Sequence, residues 1–351
     1  MKTYNHLYPQ IYDLENLLLA LEQARLGKRH KVDVAEFIFF TEAGLWRLHR
    51  ELQAKTYCPG PYRTFRIREP KARLISAAPF RDRVVHHAVC QVIEPLFERS
   101  FIFDSYACRI GKGTHAALDR FTQFARRNRY VLKCDVRKFF PSIDHEILKD
   151  LLRKRIRDRD ALWLLDLIID HSNPQEPAVF YFPGDDLFSP HQRQRGLPIG
   201  NLTSQFFANL YLNPLDHFVK EELRVRDYLR YCDDFVIFSN DKAHLQEIKA
   251  RIGVFLEPFR LKLHPDKCLT HPTERGVKFL GFKVFPDHRL LLKENIRRFR
   301  RRTRWMQAAY ARGEMELDHI KASIQAWLAH AEHGDTYRLR EMLLGELVFR
   351  R

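Results

Sequence analysis

Paired cysteines and long apolar runs are both absent from this sequence of 351 residues. Its six cysteines are scattered and none forms a Cys-x-x-Cys pair, which argues against a zinc site or a disulfide framework and favours free thiols in a reducing cytoplasm. No run of about 18 apolar residues occurs, so the sequence predicts no membrane-spanning segment. Acids among the first leucines, such as Asp13 and Glu15, are not typical of a secretory signal peptide. We therefore expect a cytoplasmic protein.

Acidic residues are too few to balance the basic ones. The chain has 60 Lys and Arg against 44 Asp and Glu, a formal net charge of +16. This excess predicts a polyanionic partner, with nucleic acid as the first choice. An anionic membrane surface fits less well, because no basic amphipathic helix with an aromatic face stands out. The length predicts two or three domains that bury substantial cores.

Two adjacent carboxylates lie between apolar and aromatic residues in the stretch 228–238. The pattern predicts a strand, a tight turn and a second strand, with Asp233 and Asp234 at the turn. Neighbouring carboxylates repel each other, and a divalent cation with a preference for oxygen ligands, such as Mg²⁺, would relieve that repulsion. Taken alone, this stretch fits an ordinary polar turn better than a metal site.

A third acid, Asp135, ends a short apolar strand that begins at Tyr130. A carboxylate at the end of a central strand is poorly suited to packing and well suited to metal binding. Three carboxylates can hold two Mg²⁺ ions about 4 Å apart, the arrangement that polymerases use for in-line phosphoryl transfer. Phe140 follows five residues after Asp135, where the chain must turn before Pro141.

Basic and glycine-rich segments accompany the acids. Lys71 and Arg73 are two residues apart, so on a strand they share a face and could bind a triphosphate, although a solvated edge strand is an equal alternative. Gly196 and Gly200 precede a helix and would allow a substrate to approach the backbone, or would simply begin that helix. Thr114, after a glycine loop, is expected to cap the following helix.

In combination these segments resemble a bacterial reverse transcriptase. The resemblance runs in the family's order from about residue 60 to 290 and includes a Tyr-x-Asp-Asp box. The matching segments are Lys71-x-Arg73, Ser105 to His115, Lys133 to Phe140, Tyr231-Cys232-Asp233-Asp234, Lys267 and Phe279-Leu280-Gly281-Phe282.

One segment is informative within that family. Ile199-Gly200-Asn201-Leu202-Thr203-Ser204-Gln205 resembles the form found in diversity-generating retroelements, whereas most reverse transcriptases have Gln-Gly-x-x-x-Ser-Pro there. Those enzymes copy a template RNA with errors at adenines and usually work with a small accessory protein. The connection 171–195 is longer than expected for compact members. This departure leaves the biological system open, and an antiviral-defence enzyme that copies a non-coding RNA is one alternative. A non-catalytic RNA-binding relative is another, although the three acids, the two basic residues and Phe140 argue against it. Template-independent or protein-primed synthesis would use the same site and also stays open.

The resemblance implies an α+β, right-hand fold with fingers, a palm built on an antiparallel sheet, and a helical thumb. The expected domains are a helical N-terminal extension (1–60), fingers and palm (61–290) and a basic helical thumb (291–351) that binds an RNA–DNA hybrid. Further expected partners are the template RNA, deoxynucleotide triphosphates, and a small accessory protein or non-coding RNA. No membrane partner is expected.

The resemblance also implies a metal site. Asp135, Asp233 and Asp234 would hold two Mg²⁺ ions, with Mn²⁺ as an alternative, and the Val136 carbonyl would be a further ligand. Lys267 would donate a proton to the leaving pyrophosphate.

A nucleotide site is implied as well. Lys71, Arg73 and Arg109 would contact the triphosphate. Phe140 would stand under the sugar and clash with a 2′-hydroxyl, thereby selecting deoxynucleotides. Ile199 and Gly200 would form the floor of the nucleotide pocket.

Overall fold

Four helices form the N-terminal region of the computed structural model, which describes residues 2–68, 72–173 and 178–350. They are Tyr8–Tyr12 (α1), Leu14–Arg25 (α2), Val32–Phe39 (α3) and Thr41–Gln53 (α4). The Asp13 side chain accepts from the Glu15 N–H and so caps α2. A periodic run over 37–52 predicts one helix, but α3 ends at Phe39 because Phe40 (φ −104°, ψ 34°) leaves the helical region.

A β-hairpin and two helices follow. The antiparallel strands are Arg63–Ile67 (β1) and Arg73–Ala77 (β2), and the helices are Phe80–Glu98 (α5) and Thr114–Arg127 (α6). Helix α5 packs against α2, and both helices contribute buried apolar residues to the main core, among them Val84, Ala88 and Val89 of α5. The alternation of apolar and polar residues predicts an extended segment over 61–80, and its described part contains these two paired strands before the buried helix begins.

The central sheet is antiparallel, with the strand order β4-β5-β3-β6. Its strands are Tyr130–Asp135 (β3), Tyr228–Tyr231 (β4), Asp234–Ser239 (β5) and Leu269–Pro272 (β6). Both faces are covered: Val131 points into a cluster with Phe121, whereas Leu132 and Cys134 point into the main core. Because the side chains of a strand alternate, a sheet buried on both faces needs nearly continuous apolar strands, as this sequence has.

Helices pack around this sheet. They are Phe139–Ser142 (α7), His145–Arg153 (α8), Arg159–Asp170 (α9), Ser189–Gln192 (α10), Leu202–His217 (α11) and Lys242–Leu256 (α12). The sequence predicts one helix over 145–170, but α9 has its own start, because the Asp158 carboxylate accepts from the N–H groups of Asp160 and Ala161. A π-helical turn over Phe218–Glu222 extends α11 toward β4.

The C-terminal region combines a small sheet with three helices. Its strands are Val277–Phe279 (β7), Phe282–Val284 (β8) and Arg289–Leu291 (β9), and its helices are Lys293–Ala311 (α13), Leu317–Ala331 (α14) and Tyr337–Gly345 (α15). Phe299 and Trp327 stack with ring centroids 3.8 Å apart and join α13 to α14. Across the described ranges, no helix combines the length and apolar character needed to cross a membrane.

Candidate active site

The hairpin of β4 and β5 brings the predicted acids together. Asp135 on β3 is the cross-strand partner of Asp234 on β5, so the two side chains lie on one face of the sheet. Cys232 makes the turn with φ 57°, a left-handed conformation that is uncommon for residues other than glycine. The Asp233 carbonyl accepts from the Val136 N–H at 3.3 Å, which joins the turn to the end of β3.

Two lysines neutralise part of this acidic group. Lys267 Nζ lies 3.1 Å from both carboxylate oxygens of Asp135. Lys133, two residues before Asp135 and on the same face of β3, has its Nζ 3.8 Å from Asp234 Oδ1. Burial and the nearby charges of Asp234 and Asp135 raise the pKa of Asp233 above its usual value. The site thus concentrates negative charge that a cation would stabilise.

The donor atoms at the hairpin suit a divalent, oxygen-binding ion. Three carboxylates supply hard oxygen ligands. Val136 and Leu263 form an isolated β-bridge whose two hydrogen bonds run from the Arg137 N–H to the Lys262 carbonyl and from the His264 N–H to the Asp135 carbonyl. Neither of these bonds uses the Val136 carbonyl. Over residues 2–68, 72–173 and 178–350, no three His, Cys, Asp or Glu side chains are arranged as a preformed metal cluster. The acids fit Mg²⁺ by donor type and charge. In this structure, however, the carboxylate of Asp135 is paired with Lys267.

A cavity of about 450 Å³ opens beside the acids. Its lining includes Arg73, Phe140, Ile199, Gly200, Asp233 and Asp234. Four separate segments of the chain therefore contribute these six residues to one space, and all six are ones that the sequence assigns to the site. Lys71, the other predicted triphosphate contact, lies outside the described residues.

The floor of this cavity is joined to strand β2. The Ser76 N–H donates to the Ile199 carbonyl at 2.9 Å, and Gly200 has φ 121°. A Cβ at Gly200 would lie 3.0 Å from Ile75 Cγ2, so this position favours glycine on both steric and conformational grounds. Asn201 is buried and completes the connection: its side chain accepts from the Ala78 N–H at 3.2 Å and donates to the Ser76 carbonyl at 2.9 Å.

Two predicted side-chain roles differ from the structure. Arg109 is only 6% exposed and donates to Glu98 and to the carbonyls of Ile102 and Ser105, so this geometry does not support its predicted contact with a triphosphate. Thr114 does not cap α6; its hydroxyl lies 3.1 Å from the hydroxyl of Tyr231, in the Tyr-x-Asp-Asp box. Both side chains support the site through internal contacts.

The described part of the long connection, 178–195, packs next to the segment that carries Phe140. Arg137 lies over the Phe180 ring, and Lys262 lies over the Phe182 ring at 5.1 Å from its centroid. Immediately after the connection, the Leu197 N–H donates to the Phe140 carbonyl at 3.0 Å. The connection therefore helps to fix the backbone at Phe140.

Sequence reasoning missed a buried polar network behind the hairpin. Arg230, Asp216 and Asn209 are all buried, and Arg230 donates hydrogen bonds to both of the others. The available signal was Arg230 itself, a cation inside the otherwise apolar and aromatic strand β4. Asn201 gave no such signal, because an Asn before a helix is ordinarily an N-cap.

The sequence model of the family "Reverse transcriptase (RNA-dependent DNA polymerase)" matches residues 67–284. The chain belongs to this family. The match confirms the predicted enzyme class, an RNA-directed DNA polymerase, and with the observed helices and antiparallel sheet it confirms the α+β, right-hand fold. The family's use of divalent metal ions agrees with the oxygen donors at the hairpin.

Several known proteins are similar to this reverse transcriptase. Protein YkfC of Escherichia coli (strain K12) is 26% identical, over 71% of this chain and 71% of YkfC. The group II intron-encoded protein LtrA of Lactococcus lactis subsp. cremoris is 22% identical, over 70% of this chain and 50% of LtrA, so the chain spans half of LtrA. A structure of apo telomerase from Candida tropicalis, truncated from its C-terminal domain, is 14% identical with a TM-score of 0.49, over 69% of this chain and 59% of that one.

Proposed function

We propose that this protein copies an RNA template into DNA by in-line attack of a primer 3′-hydroxyl on a deoxynucleotide triphosphate. The observation that supports this most strongly is the convergence of Asp135, Asp233 and Asp234 beside a cavity lined by Arg73 and Phe140. Acids and a cation around one cavity are what phosphoryl transfer requires, because its catalysis rests on positioning and charge stabilisation.

Asp135, Asp233 and Asp234 would hold the metal ions, Mg²⁺ or Mn²⁺, together with the Val136 carbonyl. When bound, the ions activate the attacking hydroxyl and stabilise the charge of the triphosphate. Lys267 pairs with Asp135 in the free protein. Lys267 would be released to donate a proton to the leaving pyrophosphate if a metal ion replaced it as the partner of Asp135.

The cavity would bind the incoming nucleotide. Arg73 offers a charged, planar donor to the triphosphate, and Lys71 is expected to share that role. Phe140 would exclude a 2′-hydroxyl, and the Ile199-Gly200 floor would support the base and sugar. Because Gly200 leaves no room for a Cβ beside Ile75 and the Ile199 carbonyl accepts a hydrogen bond from β2, the floor is held closely against that strand.

The C-terminal helices would act as a thumb for the RNA–DNA hybrid. Five arginines are exposed on α13, while Phe299, Thr303 and Met306 on its opposite face are buried. The exposed arginines are Arg297, Arg298, Arg301, Arg302 and Arg304. A continuous row of this kind fits phosphates, which a protein contacts without reading sequence. We propose residues 1–60 as an N-terminal extension, 61–290 as fingers and palm, and 291–351 as this thumb.

For the biological role, we propose error-prone copying of a dedicated template RNA, as in a diversity-generating retroelement. The segment Ile199 to Gln205 supports this, because Ile199 puts an apolar side chain at the cavity where a hydrogen-bonding Gln is usual. A small accessory protein would assist. The long connection 171–195 departs from compact members and leaves the biological system open; the second candidate is an antiviral-defence enzyme that copies an associated non-coding RNA.

Primer extension tests the chemistry. We expect purified wild type to extend a DNA primer on an RNA template with Mg²⁺, and Asp233→Asn to lose activity by at least about a thousandfold, because metal-bound charge stabilisation is worth several kcal/mol. RNA binding should persist, since it rests on the basic surface. Asp287→Asn, which changes an exposed acid on the β8–β9 turn, is the matched control. Undiminished extension by Asp233→Asn would remove these acids from the mechanism.

A further inference from the structure

Arg230 is a fully buried cation. Its side chain is 0% exposed, as is that of Asp216, and the two form a two-pronged ion pair with Nε–Oδ1 2.7 Å and Nη2–Oδ2 2.6 Å. Taking two charges out of water is costly, and well-packed apolar residues often serve stability as well or better. Stability alone therefore does not explain why this ion pair is buried here.

The remaining nitrogen of Arg230 points at the catalytic turn. Nη1 donates to the Cys232 carbonyl at 3.1 Å and to Asn209 Oδ1 at 3.2 Å. Cys232 holds the left-handed conformation that makes the turn, and the next residue is Asp233. A hydrogen bond from a charged donor at this carbonyl stabilises the peptide that precedes the acid.

The other partners attach this guanidinium to three surrounding elements. Tyr228 Oη donates to Asp216 Oδ1 at 2.7 Å, and Asn209 Nδ2 donates to the Ala107 carbonyl at 2.8 Å. Asp216 and Asn209 belong to α11, Tyr228 to β4, and Ala107 to the loop before α6. Because Asn209, Ala107 and Cys232 also line the cavity, the network ends at the nucleotide site.

We infer that Arg230 is a positioning residue for the Asp233–Asp234 turn, held in orientation by Asp216 and Asn209. A guanidinium suits this task, because its donors lie in a fixed plane and can bond three partners at once, whereas a lysine ammonium is a flexible point charge. The inference rests on the proposed polymerase function and extends it: Arg230 need not touch nucleotide or metal, and it acts through the turn.

A charge-free variant separates positioning from stability. In Tyr228→Phe/Asp216→Leu/Arg230→Met, the ion pair and the phenol that bonds to it are replaced together by apolar groups, so no charge is left buried. We expect this variant to fold and bind RNA, with kcat for primer extension lowered about 10- to 100-fold by misplacement of the acids and KM for deoxynucleotide changed much less. Amide hydrogen exchange in the peptide 231–235 should be faster than in wild type.

A second variant, Arg230→Lys, keeps the charge opposite Asp216 but cannot reproduce the fork. We expect it to show the same loss of kcat and the same faster exchange at 231–235. A folded variant of either kind with wild-type kcat and wild-type exchange overturns the inference. If both variants fail to fold, the pair is a requirement of folding, and the positioning role is wrong.

The exchange measurement also separates this inference from the proposed function. If wild type extends no primer on any template, the proposed function fails, whereas exchange at 231–235 still reports whether Arg230 holds the turn. If wild type is active and exchange in both variants is unchanged, the proposed function stands and the inference fails.

Discussion

The front and the back of the Asp233–Asp234 hairpin each contain an ion pair between one cation and one aspartate. Behind the hairpin, Arg230 and Asp216 are both 0% exposed. In front, Lys267 is 43% and Asp135 13% exposed. The same kind of contact is therefore closed to water behind the hairpin and partly open to water in front of it.

The difference teaches what each pair can do. A buried pair with two parallel hydrogen bonds cannot separate without leaving a charge in an apolar environment, so it fixes structure. An open pair is screened by solvent and holds its partners weakly, so it can exchange one cation for another. We therefore expect changes at the back to affect folding and turn geometry, and changes at the front to affect chemistry and selectivity.

The largest effect on stability is expected at the back. Asp216→Ala should lower the free energy of unfolding by about 3–5 kcal/mol, because it leaves Arg230 buried without its counter-ion. Urea denaturation followed by circular dichroism measures this. Asp287→Ala, at an exposed turn, should change stability by less than about 0.5 kcal/mol. Similar losses of unfolding free energy in the two variants would show that the buried Arg230–Asp216 pair matters no more for stability than an exposed acid.

At the front, Phe140→Ala should change selectivity. Removing the ring from the cavity should raise ribonucleotide incorporation relative to deoxynucleotide, by about 1–3 kcal/mol of discrimination, or roughly tenfold to over a hundredfold. Single-nucleotide kinetics with paired ribo- and deoxynucleotides measures the ratio, and Phe139→Leu, at the buried neighbour, is a control for packing. An unchanged ratio would reject Phe140 as the sugar gate.

Ile199→Gln should have a smaller effect on fidelity. Restoring a hydrogen-bonding side chain should improve discrimination by about 0.5–1.5 kcal/mol, a few-fold to about tenfold in error rate. Deep sequencing of cDNA made by both proteins on one mixed-sequence RNA measures this. Wild-type errors concentrated opposite template adenines would support the diversity-generating role, whereas an even distribution would favour the defence role. An error rate unmoved by the substitution would exclude Ile199 from fidelity.

Of the two ion pairs, the one in front should give the smaller stability effect, measured with Lys267→Ala. Because its pair with Asp135 is open to solvent, the free energy of unfolding should change by about 0.2–1 kcal/mol. Comparing this variant with Asp216→Ala under identical denaturation conditions tests the contrast between front and back directly. A loss as large as that of Asp216→Ala would mean that the front pair is structural as well.

Some of this site was predictable because its determinants are local. Strands β3, β4 and β5 follow from short apolar runs, and the Asp-Asp turn follows from their interruption. The division of 145–170 was not predicted, although Asp158 gives a recognisable cap, since the apolar periodicity continues across it. That Arg73, Phe140 and Ile199 share one cavity could be predicted only from the family's order of motifs, because their spacing in the sequence does not indicate it.

By itself the sequence determined the candidate site: which three acids, which basic residues and which aromatic residue are proposed for it, and in what order they occur. Only the tertiary structure decided the partners of the other polar side chains. Arg109 and Arg73 are both arginines near the same site, yet one is enclosed by carbonyls and Glu98 and the other lines the cavity. Which polar groups meet inside a protein depends on which distant elements pack together, and strand or helix periodicity specifies only the face on which each residue lies. Arg230 reaches Asp216 and Asn209 on α11 for that reason.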